Sequence, residues 1–121
     1  MNTLYERVGG EAAIFAAASL MYEKLLADTR VSGFFAGLDM DALVRKQTAF
    51  LAWAFGAPER YSFRPLDEAH RRLVREKGLT DVHFDVVAGH LADSLRELQV
   101  DPAVIEEVMT LVGSTRRAVL G

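Results

Sequence analysis

Apolar residues recur along this chain three and four positions apart, and a two-residue alternation is nowhere sustained, so the pattern predicts an all-α class. Thr3 followed by Glu6 has capping-box spacing and starts a short helix that stops at Gly9-Gly10, where positive φ is cheap. A second helix is expected from about Glu11 to Ala27, with Phe15, Ala18, Tyr22 and Leu25 on one apolar face, which turns the tyrosine hydroxyl inward. Asp28 to Gly37 reads as a turn and a short helical piece ending in Phe34-Phe35. Asp39 then caps a helix reaching Phe55, whose face carries Leu43, Lys46, Gln47, Phe50, Leu51 and Ala54.

Gly56, Pro58 and Pro65 mark a long irregular link. Pro65 suits the first position of another helix, with Asp67 and Glu68 in the first turn, His70 inside it and Gly78 ending it. Thr80 caps a long helix to about Gln99, and Asp101-Pro102 opens a last one to about Leu120. Phe84, Val87, Leu91, Leu95 and Leu98 form the inner face of the first of these. Val104, Val108, Leu111, Val112 and Val119 form that of the second.

The chain has 121 residues, half of them apolar, which suits one globular domain with a single core. Its 14 basic and 17 acidic residues leave a mild negative charge and no basic stripe, which argues against a nucleic-acid partner. Without cysteine there is no disulfide, thiolate metal site or cysteine nucleophile. The longest apolar stretch, Ala12 to Tyr22, is too short to span a bilayer, and the first residues lack the basic region of a signal peptide. The expectation is a cytoplasmic protein with no membrane contact.

Candidate chemistry begins with Gln47, a polar amide in the middle of an apolar face. Leaving it buried and unpaired costs roughly 1–3 kcal/mol, so it needs partners. Tyr22 is one, through an ordinary interhelical hydrogen bond, and a bound ligand is another. A lone helical histidine such as His70 is most often a surface or satisfied core residue. Tyr22, Phe35, Leu43, Gln47 and His70 together, however, are what a haem pocket needs. One histidine holds the iron from one side, and a tyrosine and a glutamine face its gas ligand from the other.

From LYERVGG near the start to RRAVLG at the end, the chain resembles the group I truncated haemoglobins, small two-on-two helical globins that bind haem b. The resemblance is carried by Gly9-Gly10, Tyr22, the run from Phe34 to Met40, KQTAFL from Lys46, DEAH ending at His70, and DVHFDVVAGHL from Asp81. It implies one truncated globin domain over residues 1–121. It also implies His70 as the proximal iron ligand, Phe35 stacked on the haem, Tyr22 and Gln47 as the distal pair, and Leu43 as a gate. Phe50, Tyr61, Phe84 and Val87 become haem contacts, with His83 near a propionate.

Lys46 has two readings, a stem lying over the haem edge with its ammonium on a propionate, or a deprotonated amine ligating the iron. His83 and His90, seven apart on one face, make only a weak second metal site without a third ligand. Trp53 and Arg45 fall off the distal stripe, as packing and solvent residues respectively. Relative to the family, Ala57 and Phe63 stand where glycines are usual. Arg117 stands where some relatives carry a histidine bonded to the haem, so non-covalent haem is expected.

The resemblance implies reversible binding of O2, and of CO and NO, for oxygen transport or storage. The alternative is a nitric oxide dioxygenase. No flavin or nicotinamide motif supplies electrons for that, so it needs an external reductase. A third class is a cofactor-free helical interaction module. A monomer or weak homodimer is expected.

Overall fold

The computed structural model describes residues 3–56 and 78–120. Their regular elements are helices α1 (Leu4–Val8), α2 (Gly10–Ala27), α3 (Met40–Ala54), α4 (Asp81–Glu97), α5 (Pro102–Gly113) and α6 (Arg116–Leu120), with a 3-10 turn over Ser32–Phe35. Tyr61, His70 and the helix expected from Pro65 to Gly78 lie outside the described residues up to Gly78 itself. So do the substituted positions Ala57 and Phe63.

The predicted caps form where local chemistry demands them. Thr3 Oγ1 accepts the Glu6 N–H at 3.2 Å, Asp39 Oδ1 accepts that of Ala42 at 3.2 Å, and Asp101 Oδ1 accepts that of Ala103 at 2.8 Å. Gly9 closes α1 at φ 123°, and a Cβ there would stand 2.9 Å from Ala13 Cβ, so only glycine fits the α1–α2 corner. At the far end of α4, Gln99 adopts φ 61° while the Val100 N–H reaches Leu95 O at 3.1 Å, a left-handed closure made without glycine.

α2 packs on both α3 and α4, α4 packs on α5, and α1 bridges α2 and α5. The two pairs, α2 with α3 and α4 with α5, are the two-on-two arrangement expected. Ile14, Ala17, Met21 and Leu25 of α2 share one buried cluster with Leu51 of α3 and Phe55 just beyond it. Leu91 and Leu95 of α4 and Val104, Ile105 and Val108 of α5 belong to the same buried cluster. Full burial of each large aliphatic side chain here is worth about 1.5–3 kcal/mol.

Three expectations need correction. The last helix does not run unbroken to Leu120, because Gly113 is followed by Ser114 and Thr115, whose hydroxyls donate to Leu111 O and Val112 O. Those side chains compete for the carbonyls at the end of α5, and the chain restarts as α6. Phe15 is not part of the buried face: Ile14, Ala18, Met21 and Leu25 centre that stripe, and Phe15, at its edge, is 50% exposed. Leu98 is 37% exposed because α4 has already ended at Glu97.

Candidate functional site

Tyr22 sits on the inner side of α2, 9% exposed, with its ring edge-on to Phe35 at 5.7 Å and 88°. Burial pushes its phenol up to about 12, so it is a neutral O–H donor over the whole physiological range. Its hydroxyl makes no hydrogen bond to another described residue. Beside it an open groove of about 350 Å³ between α2 and α3 is lined by Phe15, Ser19, Leu26, Met40 and Val44.

α3 divides its inner surface in two. Thr48, Leu51 and Phe55 are buried in the core, with Thr48 Oγ1 satisfied by Val44 O at 2.7 Å. Leu51 therefore belongs to the core and not to the distal stripe in which the pattern had grouped it. Leu43, Gln47, Phe50 and Ala54, next to that edge, are only half-buried, and Lys46 is exposed. The interhelical Tyr22–Gln47 hydrogen bond considered above is not among the hydrogen bonds of the described residues. Phe50 tilts against Trp53 at 6.2 Å, and Trp53 is 49% exposed.

α4 supplies the opposite side. The Thr80 backbone N–H donates to His83 Nδ1 at 3.1 Å, which caps α4 and puts the His83 proton on Nε2. Phe34 meets the His83 ring edge-on at 5.0 Å. Phe84 is buried, with the Arg116 guanidinium 4.6 Å above its ring, and Val87 is half-buried. Arg116 itself bridges Asp81, at 2.9 Å, and Asp85, tying α6 to α4.

His90 does not act with His83. Its Nε2 lies 2.8 Å from Asp28 Oδ2, where α2 ends. Two side-chain hydrogen bonds from Arg30, one from His90 and one from the Arg30 backbone N–H hold the Asp28 carboxyl well below the usual carboxylate range. The sequence reading missed this group. The Asp28–Arg30 spacing signalled an aspartate turn, but nothing periodic links it to His90. The Arg116 contact was also missed, although the i, i+4 pair of Asp81 and Asp85 signalled an acidic face on α4.

The family profile of the bacterial-like globins matches residues 3–120. A group 1 truncated hemoglobin of Tetrahymena pyriformis is 42% identical over 120 residues, covering 99% of this chain and 96% of that one. The chain belongs to the group 1 truncated haemoglobins. The group 1 truncated hemoglobin GlbN of Synechocystis is likewise 42% identical, over 94% of this chain and 92% of its own. Among solved structures, the 2/2 hemoglobin of Synechococcus sp. PCC 7002, in its cyanomet state and with covalently attached heme, superposes with a TM-score of 0.94. It is 44% identical and covers 98% of each chain. Chlamydomonas reinhardtii THB1 superposes at 0.85 with 44% identity, over 98% of this chain and 97% of its own.

This truncated haemoglobin thus has the haem-binding globin fold, and its described residues fit the group. A flat apolar cofactor needs apolar side chains at the rim of the core, and Leu43, Phe50 and Val87 are half-buried residues packed against it. Tyr22 adds a buried neutral O–H on α2, and Gln47 a half-buried amide on α3. No described helix is long and apolar enough to cross a membrane.

Proposed function

We propose that this truncated haemoglobin binds O2 reversibly at a haem b held non-covalently in one domain, with His70 as the protein ligand to iron. Tyr22 and Gln47 form the gas-side pair. When bound, ferrous haem takes up a diatomic gas and shifts electron density onto it. The observation that carries the reading is the Tyr22 hydroxyl, a neutral donor on a buried ring with no partner among the described residues.

Tyr22 holds its proton at Oη and donates it to a ligand atom carrying partial negative charge, with the Gln47 amide as second donor. Leu43, Phe50 and Phe35 exclude water around these donors. His83, capped through Nδ1, leaves its Nε2–H for a carboxylate such as a propionate, and Lys46 offers its exposed ammonium to the same kind of group. Phe84 and Val87 provide apolar contact from α4, and Tyr61 does so from outside the described residues. Arg117 is an exposed guanidinium on α6 with no nucleophilic ring nitrogen, which supports non-covalent retention.

The test is gas release from the reduced, haem-loaded protein. If each donor contributes roughly 1.5–3 kcal/mol to a charged acceptor, Tyr22→Phe speeds O2 release about ten- to a hundred-fold. CO, less polar when bound, changes far less. Equal effects on O2 and CO overturn the distal-pair assignment. Nitrate formed from nitric oxide through repeated reduction cycles with an added reductase would mark a dioxygenase and not a carrier.

A further inference from the structure

The segment that follows α2 carries Phe34 and Phe35, and Asp28 is its hub. The Asp28 carbonyl accepts the Val31 N–H at 3.1 Å and the Ser32 N–H at 2.8 Å. Its Oδ1 accepts the Arg30 N–H at 3.0 Å and Nε–H at 2.9 Å, and its Oδ2 accepts an Arg30 terminal N–H at 2.6 Å. All of these are local. The contact that reaches another helix is His90 Nε2 on Oδ2 at 2.8 Å, across 62 residues of sequence.

A second contact with α4, the Phe34 ring on His83, lies two helical turns away, roughly 10 Å at 1.5 Å per residue. The corner is therefore held to α4 at two separate points. Phe35, the residue directly after the second anchor Phe34, meets the Tyr22 ring edge-on. Without His90 the Asp28 carboxylate keeps only Arg30, a side chain 63% exposed and able to move with it. The charged groups nearby on α2 and α4 are otherwise committed: Lys24 to Glu97 at 2.6 Å and Arg96 to Asp93 at 2.7 Å.

We infer that His90 is a positioning residue for the Tyr22–Phe35 wall of the pocket, acting through its hydrogen bond to Asp28. Facing a carboxylate, Nε2 is the donor whether or not the ring is charged. Donation, not charge, is thus what the wall requires. The gas-release consequence rests on the proposed function; the ring geometry does not.

The experiment uses the full chain loaded with haem and CO, comparing His90→Leu with His90→Gln, whose Nε2 amide stands at about the same reach. The readouts are the proton Overhauser contact between the Tyr22 and Phe35 rings and the O2 release rate of each variant. In His90→Leu the ring contact weakens and release shifts about five-fold, the scale of one lost hydrogen bond. His90→Gln restores both. Asp28→Ala, which leaves His90 Nε2–H without its acceptor, gives the same ring loss and serves if the leucine variant does not fold. An unchanged ring contact in Asp28→Ala or His90→Leu overturns the inference, and so does a glutamine variant as perturbed as the leucine one. The same Overhauser contact is read on the haem-free chain, so failure to take up haem refutes the functional reading alone.

Discussion

Helices α2 and α3 are both several turns long and lean on the same core, yet they finish their packing differently. α2 buries Ile14, Ala17, Ala18, Met21, Tyr22 and Leu25, whereas α3 buries only Thr48 and Leu51 within its length. The next stripe of α3, Leu43, Gln47, Phe50 and Ala54, faces inward but remains half open. A helix whose apolar stripe is completed by other helices is a strut of the fold. The half-buried stripe of α3 is the surface that the proposed function gives to haem. Tyr22 is buried with the core stripe of α2 and meets Phe35 edge-on.

The sharpest way to break this comparison is to remove an apolar side chain from each helix. Leu25→Ala removes a fully enclosed side chain and costs about 2–5 kcal/mol of stability with or without haem. Phe50→Ala, from a half-buried position, costs the haem-free chain about 1 kcal/mol but speeds haem loss strongly. Urea unfolding with and without haem, together with haem transfer to an acceptor protein, measures both. Equal stability losses in the haem-free chain would erase the distinction.

Next in size is the alkaline limb. The Tyr22 phenol is raised by burial to about 12, so the unfolded chain releases this proton first as pH passes 10. The stability it contributes is complete below about pH 10 and is lost as pH rises toward the folded value, by roughly 2–3 kcal/mol in all. Tyr22→Phe lacks this loss, and unfolding midpoints from pH 8 to 12 show wild type falling more steeply. Parallel curves would mean that the phenol is not desolvated.

The smallest effect concerns the end of α2. Asp28 is held below the ordinary carboxylate range, first by Arg30 and then by His90. Its contribution is present above the unfolded pKa of about 3.9 and fades as pH falls through the lower folded value. The stability gap between wild type and Asp28→Asn is therefore constant near neutrality and narrows below about pH 4 in acid unfolding curves. A gap that does not depend on pH would place the effect of Asp28 in packing.

The helix starts were readable from sequence because capping is local: Thr3, Asp39 and Asp101 each reach an amide two or three residues on. The break between α5 and α6 was not, since Ser114 and Thr115 suit a helical pattern until their hydroxyls take the carbonyls at its end. Periodicity placed Tyr22 and Gln47 on inward faces, but it could not separate the core edge of α3, where Leu51 lies, from the half-open stripe beside it. A shift of about 100° per residue decides that, and only the packing of α2 sets the boundary. The Asp28–His90 contact joins distant residues through one hydrogen bond and leaves no periodic trace. The iron-ligand role proposed for His70 rests on resemblance, because a single histidine carries little physical signal of its own.

The comparison of the two helices is tested most directly by amide hydrogen exchange of the chain with and without haem. Haem binding is predicted to raise protection across Met40–Ala54 of α3 while leaving the core amides of α2 nearly unchanged. Equal gains in both helices, or none in α3, would contradict the assignment of the half-open stripe to the cofactor.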